Sequence, residues 1–233
     1  HSLPLSFFRQ NHGGTLVKNR TVKNNVTKSP TAKNKPGSGQ VRIIAGQWRS
    51  RRLPIQDLEG LRPTTDRVRE TLFNWLANDL VNARVLDCFG GSGALALEAL
   101  SRYASFAKII ELQRGAAMQL KENLQTLKCD KAEVLNADTL VVLQRGCEQG
   151  FDVVFIDPPF RKGLAEKTIQ LLDTQAWLND GALIYVEIES ELTQLAIPPC
   201  WHALKEKNAG QVSYRLYQYQ AENTAEPIED ESH

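Results

Sequence analysis

From residue 84 to residue 189 the chain alternates apolar strand patterns with helix patterns, and this alternation restricts the fold more than any other feature. RVLDCF (84–89), AKIIEL (107–112), AEVLNAD (132–138), FDVVFID (151–157) and ALIYVEIE (182–189) are short aliphatic runs that read as strands. GALALEALSR (93–102), AAMQLKENLQTL (116–127), a short stretch ending near Cys147 and GLAEKTIQLLD (163–173) read as the intervening helices. Strands joined through helices must run parallel, and right-handed crossovers cover both faces of their sheet. The end departs from this rule. WHALKEKNAG and QVSYRLYQYQ read as two strands joined near Gly210 with no helix between them, so they add an antiparallel hairpin. The prediction is an α/β protein with a doubly wound, mostly parallel sheet.

Ahead of this region the composition changes. Residues 1–56 hold eleven Lys and Arg and no Asp or Glu, although the net charge of the whole chain is only +1. Residues 1–39 are rich in Lys, Asn, Thr, Gly and Pro and are expected to be a disordered basic arm; its opening, HSLPLSFFRQNHGG, is read as partly an expression remnant and carries no weight in the fold argument. Residues 40–80 are expected to form a basic extension. VRIIAGQWRSRRL (41–53) predicts a small strand or hairpin with Arg42, Arg49, Arg51 and Arg52 projecting, and LRPTTDRVRETLFNWL predicts a helix capped near Thr65, with Val68, Leu72, Trp75 and Leu76 on its apolar face. Residues 81–220 form the main domain, and 221–233 an acidic, frayed tail. A basic segment on an otherwise acidic chain points to an anionic partner, foremost nucleic acid.

The chemistry gathers at strand ends. VLDCFGGSGALALEAL puts a glycine loop between the first strand of the alternation and its helix, where exposed amides favour a negative group. Gly91, Gly93 and Ala96 even fit the dinucleotide fingerprint G-x-G-x-x-A. Glu111 ends the second strand, about 20 residues after the loop, where a carboxylate accepts from ribose hydroxyls. Asp138 ends the third strand and is suited to accept from an adenine amino group. With Asp87 these acids frame a nucleoside pocket, which NAD and S-adenosylmethionine would fit alike.

Asp157-Pro158-Pro159-Phe160 separates the two. Hydride transfer has no evident need for it, whereas methylation of an exocyclic base amine does. The lone pair of that nitrogen is delocalised into the ring, so the amine is a poor nucleophile. The Asp157 carboxylate and the Pro158 carbonyl can accept its two N–H groups and direct the lone pair outward. Phe160 offers a stacking face for an unstacked base, and the prolines hold the loop in place.

LDCFGGSGALALEAL with FIDPPF resembles the class I, Rossmann-like S-adenosylmethionine-dependent methyltransferases that modify exocyclic amines. With RIIAGQWRSRRL, RPTTDRVRETLFNWL and GQVSYRLYQ added, residues 40–220 resemble more narrowly the bacterial 16S ribosomal RNA guanine-N2 methyltransferases acting at guanine 966. The resemblance implies a cytoplasmic monomer with a seven-stranded sheet ending in a reversed hairpin, acting on 16S rRNA or the small subunit. Asp87, Phe89 and Gly91–Gly93 would line the methionine end of the donor, Glu111 would hold the ribose, Asp138 the adenine, and Asp157–Phe160 the guanine. Arg62, Thr64, Arg67 and Arg69 would close the entrance. Arg42, Arg49, Arg51, Arg52, Arg67 and Arg69 would meet RNA phosphates, and Trp48 would either stack on a base or pack under the hairpin. One departure is Gln113, where an acid is expected two residues after Glu111.

Other classes find less support. The four cysteines show no C-x-x-C pairing, and His202 is the only histidine outside the tails, so neither a metal centre nor a histidine base is expected. No apolar run approaches the roughly 20 residues that span a bilayer, and a soluble cytosolic protein is expected. A DNA amino methyltransferase lacks a visible target-recognition domain here. A nicotinamide dehydrogenase and a catalytically silent RNA-binding module are the remaining alternatives.

Overall fold

The computed structural model describes residues 38–56 and 65–222. In chain order these fold as strands β1 (Ser38–Arg42) and β2 (Arg52–Gln56), helix α1 (Asp66–Trp75), β3 (Arg84–Asp87), α2 (Ala94–Ser101), β4 (Phe106–Ile110), α3 (Arg114–Thr126), β5 (Ala132–Leu135), α4 (Thr139–Gln144), β6 (Phe151–Ile156), α5 (Leu164–Thr174), β7 (Leu178–Glu189), β8 (Trp201–Ala209) and β9 (Val212–Tyr219). The basic arm before Ser38, Arg62 and Thr64 of the α1 approach, and the acidic tail beyond Glu222 lie outside the described residues.

Seven strands form the main sheet in the order β5-β4-β3-β6-β7-β9-β8. All neighbours from β5 to β7 are parallel; β9 alone runs against its neighbours, pairing antiparallel with β7 and β8. The chain leaves β3 toward β4 and later returns to its other side as β6, so a crevice opens above the carboxyl ends of these two strands. Asp87 closes β3, and Asp157 directly follows β6.

Burial on both faces explains the unbroken apolar runs. Val153 and Phe155 of β6 enter one core layer with residues of α1, α2, α3 and the β1–β2 hairpin. Val154 and Ile156 enter the other, with α4 and α5. The extension therefore shares a core with the main sheet.

Strand limits differ from expectation where backbone geometry intervenes. The first strand ends at Asp87, two residues early, because the chain turns into the glycine loop. β5 ends at Leu135, since Asp138 is used as the cap of α4. β7 begins at Leu178, four residues early, through an irregularity at Phe151/Val153 that its Gly181, with φ of 81°, accommodates. In the extension, β1 and β2 flank a loop over 43–51, so Arg49 and Arg51 stand outside the paired strands while Arg42 and Arg52 face each other across the ladder.

That loop is clamped onto α2, all eight of whose residues are buried. Glu98 accepts the backbone N–H groups of Ile44 at 2.8 Å and Ala45 at 3.0 Å, and pairs with Arg102 at 3.0 Å. Ser101 accepts the Trp48 N–H at 3.0 Å and donates to the Ala45 carbonyl at 2.6 Å. Two polar residues in an otherwise apolar helix thus satisfy the backbone of the segment that covers it.

Candidate active site

The glycine loop is fixed from below. Gly93 adopts φ of 80°, and a Cβ there would lie 2.1 Å from a methyl of Leu120 on α3. Only glycine serves at this position, on grounds of both conformation and packing. The N–H of Gly91 donates to Glu111 at 2.7 Å, and the second oxygen of Glu111 accepts the Gln113 N–H at 3.0 Å. Gln113, the departure noted in the sequence, thus contributes through its backbone.

Asp87 closes β3, and Glu111 and Asp138 follow the adjacent strands β4 and β5, but their surroundings differ. Asp87 is 1% exposed, and its Oδ1 has no hydrogen-bond partner among the described residues. Burial pushes its carboxyl up to about 7; the Phe89 and Ala96 amides act against this and the Glu111 charge adds to it. Asp138 is exposed and accepts the Val141 N–H at 3.2 Å as the N-cap of α4. Thr139 donates to the Cys88 carbonyl, which ties this cap to the end of β3. Phe89 is half-buried against the core layer of α4 and α5.

Across the crevice, Asp157 and Phe160 are half-buried, Pro158 is buried and Pro159 exposed. The following Arg161 ties the loop to the end of β7: its N–H reaches Glu189 at 3.4 Å and its guanidinium Glu191 at 3.2 Å.

Beside the glycine loop, a cavity of about 220 Å³ is lined by Arg42, Arg52, Asp66, Arg69 and Ser92, among others. Arg69 corrects an expectation. Placed by its sequence among the phosphate-facing arginines, it is 2% exposed and points into the protein. One nitrogen donates to Asp66 at 2.7 Å and to the Arg42 carbonyl at 2.9 Å, while Nε and Nη1 have no partner among the described residues. Arg49, Arg51, Arg52 and Arg67 are exposed, and Arg42 is partly so. Trp48 is half-buried and packs on the core beneath the loop. Among the described residues no group of His, Cys, Asp and Glu could hold a metal ion, and no helix is long and apolar enough to cross a membrane.

The same arrangement of sequence recurs in known proteins. The family described as Conserved hypothetical protein 95 matches residues 41–218. This chain belongs to that family. It is 56% identical over 194 residues to Ribosomal RNA small subunit methyltransferase D of Escherichia coli K12, covering 83% of this chain and 97% of the relative. The Haemophilus influenzae protein of the same name is 55% identical over 183 residues, 77% of this chain and 94% of that one. A solved structure of the Escherichia coli protein yhhF superposes with a TM-score of 0.74 at 55% identity, covering 79% of this chain and all of the other.

Several residues that shape the site were not singled out from the sequence. Glu98 stands out in hindsight as one acid inside ALALEALS. Arg69 was singled out, but for exposure; it lies on the stripe 69, 72, 73, 76, whose i, i+3, i+4, i+7 spacing marks the buried face of α1. Tyr185 and Glu187 alternate onto one face of β7 and are both buried.

Proposed function

We propose that this chain is an S-adenosylmethionine-dependent methyltransferase that modifies the exocyclic N2 amine of a guanine in 16S ribosomal RNA. What supports this reading is the meeting of two features at one crevice: the strand-end acids Asp87 and Glu111 beside the glycine loop, and the Asp157–Phe160 loop that follows the neighbouring strand β6. The relatives' names supply the RNA of the small subunit as the substrate class.

The residues present fit the donor. Asp87 offers a buried oxygen without a partner, and Glu111 and Asp138 remain the acceptors suited to ribose and adenine. The cavity with Arg42, Arg52 and Arg69 accommodates a small oxyanion such as the donor's carboxylate, and the two guanidinium nitrogens of Arg69 that have no partner among the described residues are donors suited to it. When bound, S-adenosylmethionine supplies a methyl group made electrophilic by a positively charged sulfur. Asp157 and the Pro158 carbonyl hold the two N–H groups of the amine, and Asp157 is positioned to accept the proton released once nitrogen is alkylated. Phe160 stacks on the base. Arg49, Arg51 and Arg67 meet phosphates around the target and carry no sequence information. Donor and target residues belong to one chain, so a monomer suffices, and an RNA partner in the small subunit makes the cytoplasm the working compartment.

Methyl incorporation into undermodified small-subunit RNA tests the reading. Asp157→Ala should lose transfer while binding the donor normally in calorimetry. Wild-type turnover by this variant, or NADH binding in place of S-adenosylmethionine, would sink it. Mass spectrometry of nucleosides from cells lacking the protein should reveal one missing N2-methylguanosine.

A further inference from the structure

Asp157 and Pro158 explain how an amine is held but not why it would be guanine's, because adenine's exocyclic amine also offers two N–H groups. A buried carboxyl group, Glu187, lies on the neighbouring strand. Strands β6 and β7 pair in parallel with Phe155 opposite Tyr185 and Ile156 opposite Val186. One step further along this register come Asp157 and Glu187, on strands that lie about 4.8 Å apart. Phe155 and Tyr185 touch edge to face with their ring centroids 6.4 Å apart, and the Asp157 charge acts on the Tyr185 hydroxyl.

Glu187 is 8% exposed, and the Tyr185 hydroxyl donates to its Oε2 at 2.8 Å. No Lys, Arg or His among the described residues forms an ion pair with it. Burial raises its carboxyl above the usual range, and the tyrosine bond opposes this only in part. A buried carboxylate with a neutral partner is an expensive way to fill space beside Val186 and Ile188, where apolar residues already pack. Its position at the tip of β7, next to the loop that faces the target, suits a donor arriving with the substrate.

We propose that Glu187 selects guanine by accepting the ring N1–H while Asp157 and the Pro158 carbonyl hold the N2 amine. This inference rests on the function proposed above. On guanine's pairing edge, N1–H adjoins the amine, so three donors face three acceptors. Adenine presents an unprotonated N1 beside its amine, which a carboxylate repels. Tyr185 fixes one oxygen of Glu187 and leaves the other for the base. Sites built to bond a polar hydrogen reject analogues that lack it more strongly than apolar pockets reject a change of shape.

The test compares a small-subunit substrate carrying guanine at the target with one carrying 2-aminopurine, which keeps the C2 amine but has no N1–H. Wild-type kcat/KM should fall by about 30- to 100-fold on 2-aminopurine. Glu187→Gln offers both a donor and an acceptor, so this gap should shrink below about fivefold, with the loss falling on guanine. Removing a buried charge should leave the melting temperature equal or higher. Glu187→Asp, which withdraws the acceptor by one methylene, should narrow the gap too. A purely structural Glu187 would lower both substrates alike, and an unchanged ratio in both variants overturns the proposal. Asp157→Ala separates the two ideas: its activity on either base judges the methyl-transfer reading, whereas only the guanine to 2-aminopurine ratio judges Glu187.

Discussion

Glu98 on α2 holds the backbone N–H of Ile44 at 2.8 Å although the two residues are 54 positions apart. With the Ala45 N–H as second donor, this carboxylate fixes the β1–β2 loop, and through it the arginines, over the helix that follows the glycine loop. Glu98→Ala leaves two part-buried N–H groups and Arg102 without their acceptor. It should destabilise the protein by about 3 to 5 kcal/mol, the range for breaking a buried charged network. Urea unfolding measures this, and hydrogen exchange should show the Ile44 and Ala45 amides losing protection first. A loss under about 1 kcal/mol would mean that the loop is held by apolar packing alone.

Asp87 makes stability depend on pH. Its folded pKa, about 7, lies above the ordinary value of 3.8. Between these limits the folded state retains a proton that the unfolded state has lost, so stability declines as pH rises from about 4 to about 7. Above pH 7 the folded protein carries the full cost of a buried carboxylate. Asp87→Asn should therefore stabilise the ligand-free protein at pH 8 by up to about 4 kcal/mol, given roughly 1.4 kcal/mol for each pH unit between 3.8 and about 7. The gain should shrink to about 1 kcal/mol near pH 4.5 and vanish below about pH 3.8, where the group is neutral both folded and unfolded. Thermal melts of both proteins across this range check the sign, and an equal gain at both pH values would refute it.

The sheet was legible because alternating apolar runs and helix patterns leave few topologies, and the acids Asp87, Glu111 and Asp157 stood out by interrupting those runs at their ends. Arg69 was misplaced for the opposite reason. Composition groups it with its neighbours Arg67 and Arg62, whereas its phase on α1 sets it beside Leu72 and Phe73, and one helical position reverses a side chain's exposure. The clamp of Glu98 on Ile44 and the pairing of β6 with β7 that sets Glu187 one strand from Asp157 depend on contacts between distant segments. Neither leaves a local pattern, because a single acid in an apolar run looks the same whether its partner is water, backbone or substrate.

Arg49, Arg51 and Arg67 are exposed and stand clear of the core. If they meet RNA phosphates, replacing all three by Ala should weaken RNA binding and flatten its salt dependence. Each lost contact removes about 0.7 to 0.9 from the slope of log affinity against log salt, so the triple variant should lose roughly 2 to 3. Filter binding of small-subunit RNA between 50 and 200 mM salt, on the order of the range where such slopes are read, makes the measurement. Donor affinity should not change. An unaltered slope would move the RNA-binding surface elsewhere.

Arg69 combines near-complete burial with unused hydrogen-bonding capacity, and this sets its stability against its function. Its aliphatic stem packs in α1's buried face, one nitrogen serves Asp66 and the Arg42 carbonyl, and Nε and Nη1 have no described partner. Arg69→Met keeps the stem, removes the unsatisfied donors and leaves Asp66, whose side chain is 55% exposed, to water. Unfolding free energy should change by no more than about 1 kcal/mol, because the losses and gains oppose each other. Donor binding should weaken by about 10- to 100-fold, the effect of losing charge-assisted bonds to a carboxylate, where each factor of ten is about 1.4 kcal/mol. Calorimetry with 5′-methylthioadenosine, which has the nucleoside and sulfur but no carboxylate, supplies the reference. Its affinity should be the same in both proteins. Equal weakening for the two ligands would show instead that the substitution disturbs the glycine loop through Ser92, and that the arginine cavity does not hold the amino-acid end of the donor.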